Sequence, residues 1–463
     1  MLVSRGRRFP LEPPKHSEAC LIGECELYWL IAIPAPPYIA RMLTVTKSHP
    51  ALGRASAERT TAIDRTDFSE SIAGRNSITG LVPIMAVVAI AFLIIGLVLP
   101  VLPLHVHLGL GLSAFIVGVV TGSQFLASLI SRVWAGQFAD RRGAKRAVIL
   151  GLLAAAVSGA LYLASLGFTN IPWVSASVLL AGRALLGAGE SFIITGAAAW
   201  GLAVAGPQNA GRVIAWVGMA MFAAMALGAP VGMSLYTLGG FAAVAAATAL
   251  IPLFTLLLVM PLHAASVPGG TPAGFLNVAG AVWMPGVGSA LSSLGYGAML
   301  AFSSLLATER GWNPVWLTFT AFAFALVAAR LFFGHVPDRL GGAKVALACV
   351  FIEAAGLTLL WLAPGPAMAA LGGALTGFGY SLVYPGLGVE AVRRAPPQSR
   401  GLAMGAYTVF LDVALAFGSP ALGVIAGWAG LSAVFLATAI IVAGAAVIAA
   451  RLLASRSPQK DPL

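Results

Sequence analysis

Glu190, Arg183 and Asp412 stand in the middle of long apolar stretches, where no water stabilises a charge. Ions are rarely kept in such places unless they are paired or put to use. Arg183 and Glu190 are seven residues apart. On a helix that leaves them ~20° apart around the axis and ~10 Å apart along it, so they share a face. Two readings follow: a structural buried pair, or a polar face turned to a solute. Asp412 has no basic residue within its own stretch. A carboxyl held away from water can be neutral as well as charged, which suits reversible protonation. A helix–helix hydrogen bond is the other reading. Glu190 and Asp412 are both candidate proton carriers. Gln124, Tyr296, Tyr380, Tyr384 and Trp200 offer polar or aromatic contacts to a solute, although aromatics in apolar helices more often pack or anchor at an interface. Glu353 is a further carboxyl within an apolar run. His105 and His107 fall in a short loop, where solvated histidines are commoner than pH sensors.

Catalytic chemistry finds no support. There is no G-x-x-x-x-G-K-[ST] loop, no Ser/His/Asp grouping and no metal-ligand spacing. Cys20, Cys25 and Cys349 suggest neither a disulfide framework nor a metal site. The expectation is a protein that is not an enzyme and uses no cofactor or metal.

The elements that carry these residues are apolar helices. The chain is 59% hydrophobic and 9% charged, with mean hydropathy +0.92, against about 25% charged in soluble domains. From Leu81 onward, twelve apolar runs of about 20 residues fit membrane-spanning helices. They cover 81–104, 114–135, 146–166, 174–203, 212–237, 241–262, 278–306, 315–334, 344–363, 367–392, 401–425 and 431–453. The net charge of +11 reflects placement rather than nucleic-acid binding. Basic residues such as Arg141, Arg142, Lys145, Arg212, Arg339, Lys344, Arg393, Arg394 and Arg451 fall in alternate loops. The opposite loops carry Arg310 beside Glu309. The positive-inside rule then puts both termini in the cytoplasm. Residues 1–78 have another composition and no run long enough to span. They read as a disordered or mis-started extension, dispensable for insertion and transport.

One motif occurs twice. Gly136-Gln-Phe-Ala-Asp140-Arg141-Arg-Gly143 returns as Gly334-His-Val-Pro-Asp338-Arg339-Leu-Gly341, and Arg132 returns as Arg330. The offset is constant: 334−136 and 330−132 both equal 198. Gly187-Ala-Gly189-Glu190-Ser matches Gly377-Phe-Gly379-Tyr380-Ser, and Gly228-Ala-Pro230 matches Gly418-Ser-Pro420, at 377−187 = 190. The chain thus divides into residues 79–262 and 278–455, each a six-helix half. Residues 263–277 link them in the cytoplasm and residues 456–463 form a tail. Internal duplication of this kind is common in secondary transporters.

Two six-span halves, each with a G-x-x-x-D-R-x-G motif after its second span, resemble the major facilitator superfamily. Arg183-Ala-Leu-Leu-Gly187-Ala-Gly189 is similar to its fourth-helix motif. Gly228-Ala-Pro230-Val-Gly232 is similar to its fifth-helix motif. Glu390-Ala-Val-Arg393-Arg394 is similar to the pattern ending its tenth helix. Several strings, Pro337-Asp-Arg-Leu-Gly-Gly-Ala-Lys344 among them, resemble the bacterial YhhS/YfcJ-type inner-membrane branch. The resemblance implies an all-α fold of twelve helices in two pseudo-symmetric halves. It implies that the fourth helix lines a central cavity, which makes Glu190 the first choice for a proton carrier and Asp412 the second, and that the ninth helix is peripheral, which gives Glu353 a structural role. It implies that Asp140 faces the start of span eleven and Asp338 that of span five, where helix dipoles favour negative charge. Those contacts would close a cytoplasmic gate, with Arg141, Arg339 and the i,i+4 pair Glu390 and Arg394 taking part. Gly187, Gly189, Gly228, Pro230, Gly232, Gly418 and Pro420 would serve helix packing.

The function expected is secondary transport of a small organic solute by alternating access, as proton-coupled efflux. Sugar or organic-acid symport, facilitation, and a non-transporting receptor or scaffold are the alternatives. The partners expected are a small-molecule substrate, protons and the lipid bilayer, without nucleic acid, for a monomer in the bacterial inner membrane. Single cysteines at Ser266 and Ser399 should react with an impermeant maleimide only from the cytoplasmic side, and one at Asn313 only from outside. Labelling of Asn313→Cys solely from the cytoplasm contradicts this topology.

Overall fold

Apolar backbone in a bilayer must satisfy its own N–H and C=O groups, and helices do so. A computed structural model describes residues 81–206, 210–264, 275–395 and 400–455. The expectations for residues 1–78, for most of the 263–277 link, for Ser399 and for residues 456–463 lie outside the described residues, as does the Arg212 side chain.

The described chain is helical almost throughout. The helices are α1 (Leu81–Gly109), α2 (Ala114–Arg142), α3 (Ala144–Ser165) and α4 (Pro172–Ala205). A continuous stretch Ala210–Val259 breaks at Gly239 and Gly240, where Gly240 has φ 62°; residues 210–238 form α5 and 241–259 form α6. The second half holds α7 (Phe275–Glu309), α8 (Leu317–Phe333), α9 (Gly342–Leu362), α10 (Pro366–Arg394), α11 (Arg400–Ala429) and α12 (Leu431–Ala454). Ten described helices are long and apolar enough to cross a bilayer, one of them being the α5–α6 stretch. The 17-residue α8 is also apolar. The result is twelve spans.

The α5–α6 break is a reversal. Unbroken, its 50 residues would reach about 75 Å, more than twice a hydrocarbon core. Instead both ends lie at one end of the bundle. Val213 packs on Gly201 near the end of α4. Lys145, at the start of α3, donates to the carbonyls of Met260 and Leu262, at 2.7 Å each.

Two boundaries differ from expectation. The duplicated motif is not a loop. Gly136 to Arg142 continue α2, and the break comes only at Gly143, with φ 96°. In the second copy a short helix, Val336–Leu340, leads to Gly341 at φ 95°. Only glycine takes such angles without strain, and neither conformation continues a helix. His105 and His107 are not in a loop either. They sit on a π turn that extends α1 to Gly109, and buried His105 stacks on Phe241 of α6, centroids 4.0 Å apart.

Glycine contacts set the helix spacing, and they repeat between halves. A Cβ on Gly187 of α4 would collide with the Gln124 carbonyl of α2; one on Gly377 of α10 would collide with that of Phe322 in α8. A Cβ on Gly189 would come within 2.8 Å of the Gly151 carbonyl, and one on Gly379 within 2.6 Å of that of Cys349. Gly228 seats α5 on Gly96 of α1, and Gly418 meets Leu294 of α7. Positions in the two halves correspond by +198 in the first three helices of a half and +190 in the next two (322−124 = 198; 377−187 = 190). Small residues that let backbones approach are the usual packing device in membranes, where dispersion replaces the hydrophobic effect.

The halves meet along α2 and α11. At Gly118 and Gly122 a Cβ would strike the backbone at Ser419 and Ala416, and Gly423 lies as close to Ala114. Toward the end that carries the duplicated motif the seam splays: a methyl group at Gly136 or at Gly405 would meet nothing within 4 Å. Replacing Gly187 by Ala should therefore cost about 1–3 kcal/mol through overpacking, while Gly405→Ala should be neutral. Thermal unfolding in detergent checks the contrast; equal midpoints for the two variants contradict the packing described.

Candidate functional site

Asp412 lies midway along α11, where the two halves face one another. Its Oδ2 accepts a hydrogen bond from the Arg132 guanidinium of α2 at 2.5 Å. The Asp412 side chain is 4% exposed and that of Arg132 26%. The pair is therefore mostly shielded, with the arginine the more exposed member. Asp412 has no basic residue in its own span; its partner comes from the other half, 280 positions away. Periodicity within a helix gave no sign of this. The one available signal was the recurrence of Arg132 as Arg330.

Glu190 is not paired with Arg183. Its Oε2 accepts from the Gln124 amide at 2.6 Å. Gly187, one turn away, lets α4 approach α2 closely enough for that bond. Arg183 is fully buried, and its guanidinium nitrogens have no hydrogen-bond partner among the described residues. Sharing a helix face was not enough to join them: two turns of rise separate the residues. Arg183, Arg132 and Asp412 nonetheless lie within electrostatic reach of Glu190. Glu190 itself is partly buried. An amide suits a carboxyl that changes state. Its NH2 donates to a carboxylate, and its carbonyl accepts from a protonated carboxyl after a flip. Gln124 Oε1 is free of partners among the described residues.

The opposite wall is aromatic. Tyr296 and Tyr380 stack with centroids 5.2 Å apart and planes 6° apart. Tyr380 leads to Tyr384, and Tyr384 to Tyr407. Tyr384 meets Thr408 at 3.1 Å, and Tyr407 donates to the Tyr384 carbonyl at 2.7 Å. The repeat register explains the contrast between walls. Tyr380 occupies the position of Glu190 (380−190 = 190), and Phe322 that of Gln124 (322−124 = 198). One half keeps a carboxyl and an amide where the other keeps two rings.

Other named residues fall away from this centre. Glu353 is buried and accepts from Ser292 of α7 at 2.6 Å, tying α9 to α7. Trp200 donates to the His263 carbonyl at 3.2 Å. Glu390 pairs with Arg394 at 3.1 Å and Arg393 at 3.7 Å, and accepts from the Ala343 N–H. Asp140, Asp338, Arg141 and Arg339 are exposed, and neither aspartate has an ion pair among the described residues. Gly232 seats α5 on Leu97, and Pro420 lies against Gly118.

The sequence matches the Major Facilitator Superfamily model over residues 84–319 and 286–463. It is 42% identical over 371 residues to the uncharacterized MFS-type transporter STM4428 of Salmonella typhimurium, covering 79% of this chain and 94% of that one. It is 40% identical over 372 residues to the uncharacterized MFS-type transporter YhhS of Escherichia coli K12, covering 80% and 92%. The fold is similar to a crystal structure of a mutant of nucleoside transporter NupG, with TM-score 0.66 and 14% identity over 82% of this chain and 100% of that one. The chain belongs to the major facilitator superfamily: it is a multi-pass membrane transporter of the all-α, two-half kind.

The Arg132–Asp412 pair sets a measurable expectation. Removing one member leaves the other charge shielded and unpaired, which costs up to about 3–5 kcal/mol; replacing both costs far less. Arg132→Leu and Asp412→Leu should each lower the unfolding midpoint, and the double variant should recover most of the loss. Additive losses in the double variant rule out direct coupling.

Proposed function

We propose that the protein exports a small organic solute across the bacterial inner membrane in exchange for protons, by alternating access between its two halves. The observation that carries this reading is Glu190: a partly buried carboxyl inside the bundle, bonded by a neutral amide rather than locked to a cation. A carboxylate in a tight ion pair stays charged. One held by Gln124 can be stabilised in either state. Its electrostatic reach to the Arg132–Asp412 pair gives a route by which its charge biases the seam between halves. Asp412 is the second carrier on this reading, in states where its pair with Arg132 is broken.

The exposed Asp140 and Asp338 fit a gate that is open at the duplicated-motif end, with their helix-end contacts made only when that end closes. The splay of α2 from α11 supports the same state. Both termini are then cytoplasmic, as the distribution of arginines indicates. Import by symport is the second reading, since coupling through Glu190 works equally in that direction.

Flux in proteoliposomes under an imposed pH gradient tests the proposal. Glu190→Gln mimics a permanently protonated acid. It should abolish pH-driven net flux while sparing solute exchange, because exchange needs loaded alternation but no proton release. Wild-type flux with wild-type pH dependence in both Glu190→Gln and Asp412→Asn removes proton coupling through these carboxylates and leaves facilitation.

A further inference from the structure

Arg330 in α8 is the repeat counterpart of Arg132 in α2 (330−132 = 198), and Phe222 in α5 is the counterpart of Asp412 in α11 (412−222 = 190). The contact recurs as well. The Arg330 guanidinium lies over the Phe222 ring, 5.0 Å from its centroid, just as that of Arg132 lies against Asp412. The same arginine therefore reaches across the same kind of seam twice. In one place it meets a carboxylate; in the other it meets a ring.

Charge accounting sharpens the contrast. Among the described residues inside the spans, Arg132 is balanced by Asp412. Arg183 has Glu190 on its own helix, within electrostatic reach. Glu353 is turned to Ser292, away from this seam. Arg330 has no carboxylate partner among the described residues. Its polar contact is the Ser381 carbonyl at 3.3 Å. A ring face and one carbonyl leave most of the five guanidinium donors unused. Nor is Arg330 sealed in: it is partly exposed, as are Phe222 and Tyr384. Tyr384 is also within electrostatic reach of both arginines and of Asp412. A cation in the interior of a membrane protein normally has a partner. Here the place that Asp412 takes beside Arg132 is taken by the Phe222 ring.

We propose that the Arg330 guanidinium, with Phe222 and Tyr384 beside it, binds the carboxylate of an aromatic monocarboxylate solute, which supplies the counter-charge that Asp412 supplies to Arg132. This names the substrate class of the transport reading above and rests on it. The carboxylate takes the in-plane donors of the guanidinium, where bidentate geometry is available. The ring of the solute lies against Tyr384 and the stacked Tyr380 and Tyr296. Because bound solute pairs a cation that has no carboxylate partner among the described residues, loading neutralises the seam between α5 and α8 as Asp412 neutralises that between α2 and α11.

The test uses purified full-length protein in detergent, with benzoate, 1-naphthoate and indole-3-acetate as probes. Benzamide serves as the uncharged match and benzylamine as the cationic one. At least one carboxylate should raise the thermal midpoint in a saturable way, and neither control should do so. Arg330→Gln should weaken that carboxylate roughly tenfold or more, the scale expected for losing a shielded charge partner. Arg330→Lys should retain part of the affinity. The most discriminating variant is Phe222→Asp, which places a carboxylate where the other half has Asp412. It should remain folded and lose the carboxylate effect, because Arg330 is then paired from within. Three results overturn the proposal: no carboxylate stabilises the wild type; benzamide stabilises it equally; or the effect survives in Phe222→Asp and Arg330→Gln. Each leaves the flux test on Glu190 untouched, so failure of the solute class is distinguishable from failure of transport.

Discussion

A charge in a membrane interior must find its counter-charge within the protein, because lipid offers none. Asp412 meets that demand by reaching Arg132 in the other half. The bond sits where the seam between α2 and α11 changes character. On one side the helices touch backbone to backbone, at Gly118, Gly122 and Gly423. On the other they part, past Gly136 and Gly405. An ion pair at that point holds the halves together through charge rather than shape. It is therefore the contact most open to control by a proton or by a neighbouring charge, and Glu190 lies within reach of it.

The scaffold keeps its twofold plan while the chemistry departs from it. Glycine seats at Gly187 and Gly377, Gly189 and Gly379, and Gly228 and Gly418 repeat because each permits one close helix approach. Apart from Arg132 and Arg330, the side chains facing the centre do not repeat. Gln124 stands opposite in register to Phe322, Glu190 to Tyr380, and Asp412 to Phe222. Packing constrains both halves alike, whereas a solute with a polar and an apolar end needs two different walls. The bundle is symmetric where helices touch and asymmetric where something else is to be held.

The twelve spans were legible in the sequence because hydrocarbon demands long apolar helices, and the duplication was legible because its glycines recur at constant offsets, some at close helix contacts and some, as Gly143 and Gly341, at positive φ. The α5–α6 reversal was marked by the Gly239-Gly240 pair. The helical state of Gly136 to Arg142 was not, since polar residues with flanking glycines read equally well as a loop. His105 was misplaced because the first apolar run was ended at residue 104, whereas the chain continues as helix to Gly109. The partners of the central charges were the least legible. Helical phase placed Arg183 and Glu190 on one face, but a face does not fix a contact, and Glu190 turned to Gln124 instead. Nothing local in α11 points to Arg132. Such partners become visible only once the halves are docked.

Alternating access requires the two ends of the α2–α11 seam to move in opposition. Spin labels at Gln137 and Gly405 report the end that carries the duplicated motif, and labels at Ser113 and Gly427 report the other. Double electron–electron resonance on both pairs, in lipid nanodiscs at high and at low pH, measures the coupling directly. Shortening of the first distance together with lengthening of the second, in a population that depends on pH and is lost in Glu190→Gln, is the result expected. Distances at both ends that stay fixed across pH contradict proton-coupled alternation in this protein.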